Sequence, residues 1–160
     1  MKVFHGSNLI IKEPKIIVSN RNLDFGTGFY VTLNEEQAKN FAIKVSKLRK
    51  TERAYVNIYE IEENKFEKMG ILKFDYPSEE WFDFVCKNRQ GVYNGKIYDI
   101  IYGPVANDDV YTTFTAYKNG ILTKEQAIDG LKVKKLFNQI LLTNERALEI
   151  LKYIKSYEVG

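Results

Sequence analysis

The spacing of apolar and polar residues along the chain predicts an alternation of short strands and amphipathic helices. Residues 34–49 carry apolar side chains at helical spacing, and Thr32 with Glu35 has the spacing of a capping box at the start of that helix. Three more helices are predicted: one that begins at Pro77 and buries Trp81, Phe82 and Val85, one capped by Thr123 with Gln126 that ends near Gly130, and one through Ala147, Leu148, Leu151 and Ile154.

Segments rich in β-branched and aromatic residues predict five strands. The segment 54–61 is apolar on both faces and is therefore expected in the middle of a sheet. Strands and helices do not follow a regular βαβ order, which favours an α+β fold over a doubly wound sheet. We expect a single domain over residues 1–160, because the chain has no linker or repeat. The predicted strands are 3–5, 29–32, 54–61, 96–102 and 136–142.

Composition excludes several classes of protein. Hydrophobic residues make up 44% of the chain and charged residues 28%, which excludes a disordered chain. No apolar run approaches the ~18 residues that span a bilayer, and the first residues lack a signal-peptide pattern. Cys86 is the only cysteine, so no internal disulfide can form and a cytoplasmic location is expected. One cysteine and one histidine argue against a metal site.

The net charge of +3 is too small to indicate a nucleic-acid-binding protein by itself. Positive residues concentrate in segments 44–53 and 132–135. These segments are either solvated ends of helices and strands, or surfaces that meet an anionic partner or the phosphates of a ligand.

Two strands that should be buried contain polar side chains among apolar ones. Asn138 and Gln139 interrupt the strand 136–142, and Asp99 interrupts one face of the strand 96–102. A buried amide without partners costs about 1–3 kcal/mol, and a buried carboxylate requires a partner or a raised pKa. These residues are therefore either satisfied inside the fold or turned toward a site.

Two further features also allow a structural and a functional interpretation. The polar segment 103–109, which includes Asp108, is either a turn stabilised by Asn and Asp side chains or a loop that lines a pocket. His5, the only histidine, is either a structural hydrogen-bonding group or a ligand-binding one. Gly6 favours the second interpretation, because a glycine lets a ligand approach the backbone closely.

Three motifs, taken in order, resemble those of the ADP-ribosyltransferase superfamily, in its branch with a His-Tyr-Glu signature. They are His5-Gly6-Ser7 in the first strand, Phe25-Gly26-Thr27-Gly28-Phe29-Tyr30 before the second, and Asn138-Gln139-Ile140-Leu141 in the late strand. The chain is also similar to a small uncharacterised bacterial family regarded as toxin-like. The resemblance implies an ADP-ribosyltransferase-like fold with split antiparallel β-sheets and flanking helices.

The resemblance also implies that NAD is a substrate, bound in a pocket built from these motifs. His5 would bind the adenosine ribose of NAD. The Gly6 backbone and the Ser7 hydroxyl would hold the nicotinamide amide, and Tyr30 would stack on the nicotinamide ring.

Four further residues are assigned to the same pocket. Gly26 and Gly28 would let the loop before the second strand pass close to the ligand, and Asn138 would lie beside it as part of the third motif. Arg21 is assigned to a pyrophosphate oxygen through charge-assisted hydrogen bonds.

Gln139 departs from the family pattern, because that branch usually has Glu at this position. A carboxylate there would stabilise the positive charge that develops on the ribose, whereas Gln supplies a hydrogen bond without the charge. Such a loss would cost about 3–4 kcal/mol, by analogy with oxyanion-hole deletions. Asp99 and Asp108 are then candidate general bases that would activate an acceptor.

Two functions therefore compete. The first is an NAD-dependent mono-ADP-ribosyltransferase of the glycosyltransferase class that modifies a protein or a nucleic acid, in one version as the toxin of a toxin–antitoxin pair held by a small antitoxin protein. The second is a non-catalytic module that binds NAD or ADP-ribose, which Gln139 favours. A related RNA 2′-phosphotransferase would need more histidines than this chain has.

Overall fold

Strands and helices alternate irregularly along the chain, in the α+β arrangement that the sequence predicted. The computed structural model describes residues 1–16, 23–104, 108–132 and 137–160, and of residues 108–111 and 132 it describes the backbone alone. The strands are β1 Lys2–Ser7, β2 Phe29–Thr32, β3 Tyr55–Ile61, β4 Ile71–Lys73, β5 Ile100–Pro104, β6 Asn138–Leu142 and β7 Leu151–Glu158. The helices are α1 Glu35–Leu48, α2 Glu63–Glu67, α3 Glu79–Arg89, α4 Asp108–Lys118, α5 Lys124–Lys132 and α6 Glu145–Leu148.

The seven strands form one sheet in the order β4-β5-β6-β2-β1-β3-β7. All neighbours are antiparallel except β4 and β5, which run parallel because α3 crosses between them. The expectation of separate antiparallel sheets is therefore corrected to one mixed sheet. Strand β4 has only three residues, too few for the sequence pattern to reveal it.

One junction in this sheet is much weaker than the others. Strand β1 pairs with β3 over six residues, but it pairs with β2 only through Phe4 and Thr32. The sheet thus consists of two parts, β7-β3-β1 and β2-β6-β5-β4, that meet at a single residue pair.

Helix α3 covers one face of the second part. Its fully buried Trp81 and Phe82 pack in a cluster with Phe25, Ile101 and Leu141. The indole Nε1 of Trp81 donates a hydrogen bond to the carbonyl oxygen of residue 104, at 3.0 Å, so the ring is buried without an unsatisfied donor. This confirms the predicted amphipathic helix.

The opposite face of the sheet has its own apolar cluster, which spans both parts. Val3 of β1, Phe29 of β2, Ile140 of β6 and Tyr59 of β3 are all buried there. Because Val3 and Phe29 belong to different parts of the sheet, this cluster holds the two parts together beneath the weak junction.

The C-terminal segment differs from the prediction. A helix was expected through Leu148, Leu151 and Ile154, but α6 ends at Leu148 and residues 151–158 form β7. Strand β7 pairs with β3 along its whole length, which satisfies backbone groups that β3 would otherwise expose. Apolar residues three apart suggested a helix. The pairing of β7 with β3 shifts its register between Ile58 and Tyr59, and this irregularity breaks the alternation of residues expected along β7.

Helix starts also differ in part. Helix α1 spans nearly the predicted residues, but its N-cap is Asn34, whose side chain accepts from the Gln37 amide at 2.7 Å, so the cap expected at Thr32 is wrong. Thr32 instead donates its hydroxyl to the Gln37 side chain. The cap formed by Thr123 and Gln126 is confirmed, with hydrogen bonds in both directions.

Two predicted segments around β5 are corrected. The strand expected at 96–102 begins only at Ile100, and Ile97 is 85% exposed, so Asp99 does not interrupt a buried row. The polar turn expected over 103–109 is divided between the end of β5 and the start of α4, with residues 105–107 outside the described residues.

Candidate functional site

At the weak junction between β1 and β2, backbone groups of β1 have no strand partner in the described part of the chain. The Met1 ammonium donates to the Ile61 carbonyl and the Met1 carbonyl accepts from the Ile61 amide. In an antiparallel sheet, the amide and carbonyl of one residue point to the strand on one side, and those of the next residue point to the strand on the other side. Met1 points toward β3 in this way, so the amides and carbonyls of residues 2, 4 and 6 point toward β2. Phe4 pairs with Thr32 there, but the pairing does not continue to Gly6.

His5 occupies the place where the ladder would have continued. Its Nδ1 lies 2.6 Å from the carbonyl oxygen of Tyr30. Since a carbonyl can only accept, Nδ1 carries the proton in this contact. The imidazole also stacks on Phe29, with ring centroids 4.2 Å apart and planes 24° apart. The His5 side chain of β1 thus bonds the Tyr30 carbonyl of β2, in the position that the Gly6 amide would occupy if the ladder continued.

These contacts fix the chemical state of His5. Burial lowers its pKa to about 4, against a smaller opposing effect of the hydrogen bond to Tyr30 and with a further lowering by the nearby Arg49 charge. The imidazole is therefore neutral at physiological pH, with Nδ1 protonated and Nε2 a hydrogen-bond acceptor. No hydrogen bond within the described part of the chain engages Nε2.

Gly6 has a packing role besides its backbone position. A Cβ at Gly6 would clash with the carbonyl oxygen of Ala38 and lie 2.8 Å from the amide nitrogen of Ala42, so α1 can approach β1 only because residue 6 is glycine. The next residue, Ser7, is buried and accepts a hydrogen bond from the Leu9 amide at 3.2 Å. Among the described residues, no acceptor receives its hydroxyl proton, which a second partner could bind.

Tyr30 holds the loop before β2. Its hydroxyl donates to the Gly26 carbonyl at 2.6 Å and accepts from the Phe25 amide at 3.2 Å. Burial raises the pKa of Tyr30, so the phenol stays protonated. Its ring lies nearly parallel to Phe25, with centroids 6.5 Å apart.

The two glycines of this loop have structural reasons of their own. Gly26 has φ +95°, which favours glycine. A Cβ at Gly28 would lie 2.5 Å from Cδ1 of Leu141, so this position lets the loop pack closely on β6.

Gln139 and Asn138 lie on opposite faces of β6. Gln139 pairs with Thr32 of β2 and is only partly buried, and since paired residues share a face, it lies on the same side of the sheet as Tyr30. Asn138 points to the other side, where its Nδ2 donates to the Tyr102 hydroxyl at 3.3 Å. Gln139 is therefore on the face of Tyr30. Asn138 is on the opposite face, which is also that of the His5 side chain, since His5 follows Phe4, the partner of Thr32, and stacks on Phe29.

The structure does not bring Asp99 to Gln139. The Asp99 carbonyl accepts from the Thr143 amide, four residues beyond Gln139 on the same strand, which is about 13 Å at ~3.3 Å per residue. The Asp99 carboxylate accepts from the Asn144 side chain at 2.8 Å and from the Gly70 amide at 3.0 Å. These bonds lower its pKa, which is the environment of a structural carboxylate.

Two other predicted site residues are not described. Arg21 lies outside the described residues, and Asp108 is the first residue of α4, but its side chain is outside the description.

Asn57 is a residue of the site that the sequence did not suggest. It is fully buried on β3, opposite His5, and its Nδ2 donates to the carbonyl oxygens of His5 and Leu9 at 3.3 and 3.1 Å. Its Oδ1 accepts from the Ile11 amide at 2.8 Å and from the Ser156 hydroxyl at 2.6 Å. Asn57 thus anchors the segment after β1 against the backbone of His5.

A buried ion pair anchors the loop before β2 in a similar way. Asp24 is 6% exposed, and its Oδ1 accepts from Nε of Arg89 in α3 at 2.6 Å. The pair lies immediately before Phe25 and Gly26, so α3 helps to fix the backbone that Tyr30 bonds.

Two classes of feature are absent from the part of the chain that the structure describes. It contains no group of three or more His, Cys, Asp and Glu side chains arranged to hold a metal ion. No helix in it combines the length and the apolar character that crossing a membrane requires.

Residues 1–153 match the family model described as "Protein of unknown function (DUF3990)", and the chain belongs to this family. No curated protein and no solved structure matches the chain.

Proposed function

We propose that the protein binds NAD at the β1–β2 opening and acts as a mono-ADP-ribosyltransferase on a protein or nucleic-acid acceptor. The observation that carries the proposal is the state of His5: a neutral imidazole whose Nδ1 is fixed by the Tyr30 carbonyl and whose Nε2 remains an acceptor. A ribose hydroxyl is a donor of the kind that such a nitrogen binds.

The neighbouring backbone supports the same ligand. Gly6 directs its amide and carbonyl into the opening, and a primary amide such as that of nicotinamide offers one acceptor and two donors to match them. Ser7 adds a hydroxyl proton at the same end of β1. The groups therefore suit two parts of NAD, with a ribose hydroxyl, that of the adenosine ribose in the assignment above, at His5 and the nicotinamide amide at Gly6 and Ser7.

The proposed reaction breaks the bond between the ribose and nicotinamide and forms one from the ribose to the acceptor, which loses a proton. Gln139, on the face of β6 that also carries Tyr30, would hold a ribose hydroxyl and orient the sugar. Because its side chain is neutral, it would not stabilise the positive charge that develops on the ribose. We therefore expect single transfers rather than chain growth.

The test is incubation of the protein with labelled NAD and a bacterial lysate, followed by separate treatment with protease and with nuclease. Label that is lost with one treatment identifies the acceptor class. His5→Ala should abolish transfer and any toxicity on expression, and circular dichroism should establish that the variant is folded. Transfer that persists in a folded His5→Ala variant would refute the proposed site.

A non-catalytic NAD-binding module is the second candidate, and two observations favour it. Gln139 is neutral, and the carboxylate of Asp99 belongs to a structural network about 13 Å away. For this candidate, calorimetry should detect NAD binding that His5→Ala removes, with no label transferred. Gln139→Glu separates the candidates further, since a pocket built for transfer should then gain NAD hydrolysis, and Gln139→Ala is its neutral control.

A further inference from the structure

The end of α1 and the turn after it carry a dense cluster of positive charge. We propose that this cluster, with the groove beside it, is a docking surface for the phosphate backbone of a single-stranded nucleic acid, which would be the acceptor of the proposed transferase. The surface, here termed the basic groove, has five exposed cationic residues: Lys44, Lys47, Arg49, Lys50 and Arg53.

The segment 44–53 has five cationic residues against one acidic residue, Glu52, so this surface carries a net positive charge. In the described part of the chain, no ion pair involves Lys44, Lys47 or Lys50. Arg53 has one exposed partner, Glu158, at 3.8 Å. Cations at a helix C-terminus are stabilised by the helix dipole, but that effect is confined to the last turn and does not account for a charge as far along as Arg53.

The shape beside the cluster suits a polymer better than a small anion. A groove of about 520 Å³ lies between the segment after β1 and the turn after α1. Its lining includes the cations Lys50 and Arg53, the acidic Glu52, and the apolar or aromatic Leu9, Ile10 and Tyr55. Leu9 and Ile10 are 56% and 50% exposed. Tyr55 is partly buried. Cations beside an aromatic side chain are the combination that single strands use, through phosphate contacts and base stacking.

The basic groove is continuous with the candidate NAD site. Ser7 pairs with Tyr55, and Asn8 accepts a hydrogen bond from Nη1 of Arg49 at 2.8 Å. Asn8 follows β1 and is three positions beyond His5, about 10 Å at ~3.3 Å per residue. A nucleic-acid strand held in the groove would therefore have a nucleotide within reach of NAD bound beside His5.

The test measures binding of a labelled 20-nucleotide single strand to the full chain in the absence of NAD, by fluorescence anisotropy at several salt concentrations. The variant is Lys44→Gln with Lys47→Gln and Lys50→Gln. The matched control replaces three exposed lysines elsewhere, Lys68, Lys87 and Lys118, by Gln, with the same change in net charge. NAD binding of each protein is measured separately by calorimetry.

We expect the variant of Lys44, Lys47 and Lys50 to bind the oligonucleotide at least tenfold more weakly at 50 mM salt. The slope of log K against log salt should become shallower by about 0.7 for each phosphate contact that is removed. The control variant and a Lys→Arg version of the groove triple should keep the affinity of the wild type. Equal loss in the control variant, no binding by the wild type, or equal competition by polyglutamate of matched charge would each overturn the proposal.

The calorimetric measurement of NAD binding tests this docking surface separately from the transferase activity. The role of the nucleic acid as an acceptor rests on that proposed activity. Oligonucleotide binding without NAD binding would refute the transferase and leave the docking surface standing. If the groove triple lost NAD binding in parallel with oligonucleotide binding, the cluster would serve the dinucleotide phosphates, and the docking surface would be refuted.

Discussion

At the scale of single residues, His5 combines two roles that are usually separate. Its Nδ1 bonds the Tyr30 carbonyl and so closes the gap between two strands, while its Nε2 remains available to a ligand. Burial is the strongest influence on its pKa and outweighs the hydrogen bond that would raise it. The residue that the proposed function needs in a neutral state is thus kept neutral by the packing that holds the sheet together.

This state predicts how stability depends on pH. The pKa of His5 is about 4 when folded and 6.5 when exposed, so between these values the unfolded chain binds more protons. The free energy of unfolding therefore falls as pH decreases from 6.5 toward 4. Urea denaturation at pH 7.5, 6.0 and 5.0 should show the wild type losing stability relative to His5→Gln, by at most about 1.4 kcal/mol per pH unit. Parallel pH profiles for the two proteins would contradict this prediction.

Asn57 offers a second test at this scale. Asn57→Ala would remove a fully buried side chain that bonds the Leu9 carbonyl and the Ile11 amide. We expect a loss of about 1–3 kcal/mol in the free energy of unfolding by urea denaturation. The exposed Asn64→Ala is the control and should change stability by less than about 0.5 kcal/mol. A loss no larger than that of the control would mean that Asn57 does not hold the segment after β1.

At the scale of helices and strands, α1 and β1 are joined through the missing side chain of Gly6. Buried Ala38 and Ala42 lie on the helix side of the contact, so three small residues together allow the close approach. The same residue that directs its backbone toward β2 therefore also fixes the position of α1.

Gly6→Ala should push α1 away from β1 and destabilise the fold. The added Cβ would clash with the backbone of α1, which cannot move aside as a flexible side chain can. We expect the free energy of unfolding to fall by about 1–3 kcal/mol, the usual cost of overpacking a core. Gly130→Ala in α5 is the matched control, since its Cβ would meet nothing within 4 Å and should stabilise the helix by about 0.5–1 kcal/mol. Thermal unfolding of both variants measures the difference, and equal shifts of the same sign would contradict the proposed contact.

The sequence predicted some elements well and others poorly, for physical reasons. The helices α1 and α3 follow from their own amphipathic patterns, and the cap of α5 follows from the spacing of Thr123 and Gln126. Strand β7 could not be predicted in this way. Its conformation is imposed by pairing with β3, almost a hundred residues earlier in the chain, and its own periodicity is broken by an irregularity in that pairing.

The candidate site divides similarly. His5 and Gly6 were identifiable because a polar group and a glycine are unusual together in a short apolar strand. Asn57 was not, because its partners Leu9, Ile11 and Ser156 are 46 to 99 residues away, and only the folded backbone brings them together. The bonds that occupy Asp99 were hidden for the same reason, since Gly70 and Asn144 come from opposite directions along the chain.

At the scale of the whole molecule, the sheet has two parts whose strand pairing consists of one residue pair, Phe4 with Thr32, next to the candidate site. The apolar cluster that contains Val3 and Phe29 ties the parts together on one face, and the His5 imidazole ties them at the opening. The Gly6 backbone has no strand partner among the described residues, so a ligand that bonds it would extend the pairing between the two parts of the sheet.

Amide hydrogen exchange, measured by NMR, can test this architecture directly. The amide of Phe4 faces its partner Thr32, whereas the amide of Gly6 faces the opening, where the ladder has stopped. We expect Gly6 to exchange much faster than Phe4 in the protein alone, because an amide without a strand partner lacks the protection that pairing gives.

NAD at 100 times its dissociation constant should slow exchange at Gly6, and the accompanying stabilisation should be about 2.7 kcal/mol. His5→Ala, which removes the proposed ribose contact, should show little protection at the same NAD concentration. Slow exchange at Gly6 without ligand would mean that the opening is closed in solution. Fast exchange that NAD leaves unchanged would mean that the opening exists but does not receive the nicotinamide amide.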